Sequence, residues 1–303
     1  RSLLESMNVK LLCTTDDPAD ELCWHRKLRE ERAGSITVLP TFRPDAAVEV
    51  GDEEYLSYLK KLENVSGKNI TDLSSLLKCL SERLDAFEKE GCKIADHGIG
   101  VFAYEESDRS KAEEAFLKRL NGESLTVTEE NRIKTVLLTE LGKEYARREF
   151  TMQLHLGAAR NLSQRIKKRL GKDAGADAIK EDAGIDKLPT FFDRLDSQKL
   201  LPKTILYSLN PQDNELLGTI LGCFQGTEVE GKIQQGSAWW FNDTVEGIRR
   251  QLKLTAEYAA LGTSLGMLTD SRSFASYARF DFFRRILSDV VGEWVENGEY
   301  DMK

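Results

Sequence analysis

The sequence predicts an α/β protein, a parallel (β/α)8 barrel of the TIM type that lacks its first strand and carries helical insertions. Three observations predict it. Short apolar, β-branched runs alternate with long amphipathic stretches along the 303 residues, and strands separated by helices pair in parallel through right-handed crossovers. Polar and charged residues recur after nearly every run, as on the C-terminal face of a barrel; an open doubly wound sheet gathers its ligand groups at one switch point. No glycine-rich phosphate turn follows the first run, which removes the main signature of a dinucleotide-binding sheet.

Seven runs read as strands: 9–15 (VKLLCTT), 36–42 (ITVLPTF), 92–97 (CKIADH), 150–156 (FTMQLHL), 204–209 (TILYSL), 232–235 (KIQQ) and 266–269 (GMLT). Helices lie between them. Leu73, Leu76, Leu77, Leu80, Leu84 and Phe87 make one apolar stripe at helical spacing; Ile133, Val136, Leu137, Leu141 and Tyr145 make another. Thr128 followed by Glu129 and Glu130 suits a helix start, with acids at the positive end of the helix dipole. The segments 51–91 and 105–149 are long for single crossovers. They read as helical insertions or paired helices inside one domain spanning 1–303. Residues 158–189 are polar and glycine-rich and read as a long loop on the active face. A barrel needs eight strands and seven are counted. Residues 2–7 read as a helix end that runs straight into a strand, so the missing strand is expected before Arg1.

Composition narrows the function. A net charge of −8 and a pI of about 5.2 do not indicate a basic surface that neutralises phosphates, so nucleic acid is not indicated as a partner. Mean hydropathy is −0.43, and no apolar run approaches the roughly 20 residues that span a bilayer, so no membrane partner is indicated either. The five cysteines, Cys13, Cys23, Cys79, Cys92 and Cys223, form no CxxC pair, and three of them read as buried thiols. An odd count with no secretory signal in view fits a reducing cytoplasm.

Chemistry in such barrels sits where strands end. Those ends read Asp16 and Asp17, Arg43 and Asp45, Asp96 and His97, His155 and Arg160, Asn210, Trp239 and Trp240, then Asp270 and Arg272. Each has a plain structural reading beside the chemical one. Asp16 and Asp17 precede Pro18 and can cap a turn. Asp96-His97-Gly98 can be a turn with a satisfied histidine. His155 lies in the apolar run, where a histidine is more often a hydrogen-bonded core residue than a ligand. Trp239-Trp240-Phe241 can be core, although neighbouring strand residues face opposite ways and one tryptophan can line a pocket. Asp270 and Arg272 can be a structural ion pair. The set is more specific than its members. Two guanidinium forks, Arg43 and Arg272, suit a substrate carboxylate, and Asp with His can hold a divalent metal and move protons.

Seven segments, in order and over nearly the whole chain, resemble the uronate (glucuronate) isomerases of the amidohydrolase-like barrels. They are 15–20 (TDDPAD), 40–45 (PTFRPD), 96–99 (DHGI), 153–161 (QLHLGAARN), 202–207 (PKTILY), 231–243 (GKIQQGSAWWFND) and 265–277 (LGMLTDSRSFASY). The resemblance implies conversion of D-glucuronate to D-fructuronate and of D-galacturonate to D-tagaturonate in hexuronate breakdown. It implies a divalent metal, commonly zinc (Zn2+), held by an HxH pair on the first strand and an Asp on the eighth, which Asp270 matches. Arg43 and Arg272 match the family's active-site arginines, His155 its fifth-strand histidine, and Trp239-Trp240 its aromatic strand end. His97 joins the arginines and tryptophans as an expected substrate contact.

The chain departs from the family pattern in one respect. Its histidines are His25, His97 and His155, and no HxH occurs; the early His-Tyr substrate segment is absent too. The seven runs then correspond to strands two to eight. The reading that results is an aldose–ketose isomerase for a small sugar acid, with Asp270 as metal ligand and base and His155 as a hydrogen-bonding or proton-relay group. The 303-residue chain by itself is expected to be almost inactive. Two alternatives stay open. One is a metal-dependent hydrolase on the same scaffold, which the paired arginines argue against. The other is a non-catalytic remnant, which the missing metal pair supports. A homo-oligomer is compatible with the sequence without being specified by it.

Overall fold

The computed structural model describes residues 2–31, 36–106, 108–271 and 273–301. They form two compact units: Lys10–Leu154 with Asp186–Lys203, and Arg1–Val9 with His155–Ile185 and Thr204–Lys303.

In the Lys10–Leu154 unit, β1 (Leu11–Cys13) pairs in parallel with β2 (Thr37–Leu39), Leu12 opposite Val38. Both strands are shorter than the runs that predict them. Side chains compete with the ladder here: the Thr14 hydroxyl donates to Asp16 Oδ2 at 2.6 Å and lies 2.8 Å from His25 Nε2. Pairing then continues as single parallel bridges, Asp16 with Phe42 and Phe42 with Ala95. Ala95 belongs to β3 (Ile94–Ile99), which lies beside β4 (Thr151–Leu156). Asp96-His97-Gly98 is therefore the middle of a strand and not a turn. Both polar side chains stay buried because Arg43 and Tyr145 partner them.

Phe42 is fully buried, with Phe87 edge-on at 5.1 Å and Tyr145 at 6.4 Å. These two rings come from the two sequence stripes. Helix Leu73–Lys89 buries Leu73, Leu76, Leu80, Leu84 and Phe87, and helix Val127–Arg147 buries Ile133, Leu137, Leu141 and Tyr145. The second helix is capped by Thr126, not Thr128: the Thr126 side chain accepts from the Glu129 N–H, and Glu129 reaches back to the Thr126 N–H. Segments 51–91 and 105–149 each hold two longer helices, Tyr55–Ser66 with Leu73–Lys89 and Arg109–Leu120 with Val127–Arg147.

In the other unit, β5 (Ala158–Ala159) and β6 (Ala178–Ile179) form a short antiparallel ladder around helix Gln164–Leu170. The stretch expected as a loop thus carries its own structure. Asn161 and Leu162 N–H groups donate to Asp177 Oδ1 and the Ala176 carbonyl, each at 2.8 Å, and close it at the neck. The end of β4 lies beside β7 (Lys203–Ser208), which pairs in parallel with β8 (Ile233–Gln235), Ile205 opposite Gln234. The order is α/β with parallel pairing of the main strands.

The seventh expected strand, 266–269, is irregular. Gly266 (φ 73°) and Asp270 (φ 37°) are both left-handed and interrupt the extended backbone. The Leu265 N–H donates to the side chain of Gln234 at 3.1 Å, not to a strand carbonyl. Met267 still reaches a core of Ile248, Leu252, Phe283, Ile286 and Val290. Two cysteines, not three, are interior. Cys79 and Cys92 are buried, whereas Cys13, Cys23 and Cys223 are exposed and each sits at the end of its strand or helix. No helix among the described residues is long and apolar enough to cross a membrane.

Candidate active site

A cavity of about 220 Å³ in the His155–Ile185 and Thr204–Lys303 unit is lined by His155, Tyr207, Trp239, Trp240, Asp270 and Arg279, among others. Strand alternation brings His155 there. Met152, Leu154 and Leu156 are the buried residues of β4, and His155 lies on its other, half-buried face with Gln153. On β7 Ile205 and Tyr207 share one parity with Leu209 just beyond the strand, and all three pack with Trp239. The Tyr207 ring lies flat on the His155 imidazole, 4.2 Å between centroids at 2°, and Trp239 meets it edge-on at 4.8 Å. Gly236 makes room for Tyr207, since a Cβ there would collide with the ring.

Both tryptophans line this cavity. Trp239 is extended (φ −115°), but Trp240 is left-handed (φ 45°) and opens a 3-10 turn, Trp240–Asn242, so strand alternation ends between them. Their indole N–H groups converge on one oxygen: Trp239 Nε1 and Trp240 Nε1 donate to Asp270 Oδ2 at 2.7 and 3.0 Å. Asp tolerates the left-handed backbone of position 270 better than most residues. Arg279 pairs with Asp243 and donates to the Thr269 carbonyl at 2.7 Å, fixing the segment just before Asp270. Arg272 lies outside the described residues. Tyr207, Asp243 and Arg279 are among the lining residues that strand-end reading misses; Tyr207 was detectable, because its parity matches Ile205 on β7 and Leu209 just after it.

Arg43 and His97 belong to the other unit. Arg43 Nε donates to Asp45 Oδ2 at 2.7 Å, and Arg43 Nη1 lies 3.2 Å from Asp96 Oδ2. The Gly98 N–H donates to Asp45 at 3.0 Å, and a Cβ at Gly98 would strike the Arg43 guanidinium. His97 was expected to touch substrate. Its side chain is 1% exposed, with Nε2 3.1 Å from the Tyr145 hydroxyl and Nδ1 3.9 Å from Asp45, so it supports Asp45 from behind and does not face solvent. Asp16 and Asp17 take the structural reading, accepting from Thr14, Thr41, Ala19 and Tyr58. Asn210 likewise caps a turn through the Gln212 N–H.

Burial pushes the Asp45 carboxyl up from 3.8 to about 6; Arg43 and the Gly98 N–H oppose the rise, and Asp96 adds to it. A raised carboxyl pKa means that the fold prefers the protonated form. Its stabilising contribution is full below about pH 4 and is lost as pH rises through about 6. A carbon-13 titration of the Asp45 carboxyl is expected to centre near pH 6, and Asp45→Asn to flatten the stability profile between about pH 4 and 6. A midpoint near the ordinary aspartate value would show that Arg43 outweighs burial.

The donor set does not match the expected metal. Among the described residues no three His, Cys, Asp or Glu side chains gather where an ion could be held. Asp270 stands as a single candidate ligand, and its Oδ2 already accepts two indole N–H groups. These residues do not make a catalytic metal centre, which takes three protein ligands in most zinc enzymes.

The glucuronate isomerase family model matches residues 1–303. The uronate isomerase of Clostridium acetobutylicum is 44% identical over 299 residues, 99% of this chain and 64% of the relative. That of Bacillus licheniformis is 46% identical over 299 residues, 99% of this chain and 63% of the relative. The chain thus spans less than two thirds of the length of these curated relatives. Among solved structures, the uronate isomerase of Thermotoga maritima superposes with a TM-score of 0.92 at 34% identity, over 99% of this chain and 64% of that one. The glucuronate isomerase of Caulobacter crescentus gives 0.90 at 27% identity, over 99% and 61%.

Proposed function

The chain belongs to the glucuronate isomerase family, and on that premise we propose that the whole protein is a uronate isomerase, a parallel (β/α) barrel in which residues 1–303 form one domain with helical insertions. Its substrates are open-chain hexuronates: D-glucuronate, giving D-fructuronate, and D-galacturonate, giving D-tagaturonate. The observation that carries this reading is the meeting of His155 and Asp270 in one cavity walled by Tyr207, Trp239 and Trp240.

The reaction moves a proton between C2 and C1. A base removes the C2 proton, the aldehyde oxygen gains a proton, and an enediol results. The proton then returns to C1 while O2 loses its hydrogen and becomes the ketone. A carboxylate and an imidazole lining one cavity suit this exchange, because one group holds the carbon-bound proton while the other serves the oxygens. Asp270 takes the first role and His155 the second. Trp239 and Trp240 hold the Asp270 carboxylate in place and flank the sugar. Arg43 and Arg272 bind the substrate carboxylate and neighbouring oxygens. His97 acts through Asp45 on Arg43. Toward a divalent cation such as zinc the described residues offer Asp270 alone; a bound ion would polarise substrate oxygens. The five free cysteines fit a reducing cytoplasm as the setting.

The test is direct. The whole protein, incubated with D-glucuronate in D2O and followed by proton NMR, is expected to form fructuronate. Deuterium should enter the transferred position to the extent that the catalytic proton exchanges with solvent. An active hydrolase of amide or ester substrates with no ketose product would replace this reading.

A further inference from the structure

We propose that the basic helix Gln164–Leu170 draws the anionic substrate toward the His155–Asp270 cavity. This inference rests on the uronate reading, since it needs a negatively charged substrate. Residues 160–180 contain seven Lys or Arg and two Asp, within a chain of net charge −8. Both aspartates are used at the neck of the segment. Asp173 pairs with Arg160 at 3.3 Å and Asp177 accepts from the Asn161 N–H at 2.8 Å. The cations of the helix, Arg165, Lys167, Lys168 and Arg169, are exposed and make no ion pair among the described residues.

The neck ties this helix to the cavity. The Arg160 guanidinium lies over the Trp240 ring, 4.9 Å from its centroid, and the Trp240 indole N–H in turn holds Asp270. The helix begins at Gln164, shortly after Arg160, and the β5–β6 ladder keeps both ends of the segment together. An acidic protein repels a carboxylate at long range. A compact positive patch on the segment that Arg160 joins to the cavity wall reverses that field locally and raises the substrate concentration there. A rival explanation is structural, because Lys167, Lys168 and Arg169 fill the last turn, where the helix dipole favours cations. The two differ in their readouts: a dipole role moves stability, and a steering role moves KM with salt.

Three unit charges acting through water over about 10 Å are worth about threefold to fivefold in local concentration at ~10 mM salt and almost nothing at ~0.5 M. The experiment compares the whole protein with its K167Q/K168Q/R169Q variant, glutamine keeping the helix propensity. For D-glucuronate, KM is expected to rise about threefold to fivefold at ~10 mM salt with kcat unchanged, and to match the parent at ~0.5 M. Arg165→Gln serves as a milder second variant if the triple one folds poorly. Equal KM values at low salt, or a difference that persists at high salt, overturn the proposal. A parent that isomerises no uronate overturns the functional reading and this inference together, whereas an active parent with an unchanged variant overturns the inference alone.

Discussion

Asp270→Asn in the whole protein is expected to lower uronate turnover by about 10²–10⁴-fold while leaving the fold intact. The substitution is unusually clean. The asparagine amide oxygen can accept the same two indole N–H groups that Asp270 Oδ2 accepts at 2.7 and 3.0 Å. Asparagine also tolerates the left-handed backbone at φ 37°. The side-chain volume is nearly unchanged, so the variant removes the negative charge and the proton acceptor and little else. Asp270→Ala would confound the result, because it leaves two indole donors without their acceptor and strains the backbone. The indole N–H resonances of Trp239 and Trp240 report whether the aromatic wall survives, and kcat reports the chemistry. Near-normal kcat with an intact wall would remove Asp270 from the reaction.

The sequence reached this site by an argument from period and order, and it failed where the backbone leaves those periods. His155 read as more often a core residue until the family resemblance assigned it; on β4 the burial of Met152, Leu154 and Leu156 leaves it on the other face. Asp270 was found because a charge followed a short apolar run, although that run is not a strand. Gly266 and Asp270 take left-handed angles, and a three-dimensional packing partner, the Phe283–Val290 face, holds Met267 where a ladder was expected. Trp240 was named with Trp239 as a strand-end aromatic, although strict alternation alone would put it on the opposite face; its positive φ ends that alternation. For His97 the sequence left a satisfied histidine open beside substrate contact; in the fold Tyr145, 48 residues along the chain, partners its ring nitrogen and the side chain is buried. Only the fold supplies that partner. Arg43 was found as a guanidinium at a strand end; its two carboxylate partners, one of them on β3, were not visible in sequence.

The 303-residue chain is expected to bind zinc no more tightly than about 1 µM, and EDTA is expected to leave its thermal midpoint unchanged. Tight zinc sites combine three or four deprotonated ligands in tetrahedral array, and free energy is lost with every ligand replaced by water. The described residues bring one family-matched carboxylate, Asp270, and no cluster of three donors. Outer-sphere partners that orient ligands are worth about ten- to a hundredfold each, so an incomplete shell loses affinity faster than the ligand count suggests. The buried thiols do not fill the deficit. Burial pushes Cys92 up to about 11, so giving up its proton to a metal carries an added cost. Competition against a chromophoric chelator, with the exposed Cys13, Cys23 and Cys223 alkylated, measures the affinity. A one-to-one complex tighter than about 1 µM that disappears in Asp270→Asn would show that further ligands gather on this carboxylate, contrary to the donor set found here. Affinity that survives Asp270→Asn would mark an unrelated surface site and leave the assignment of Asp270 untouched.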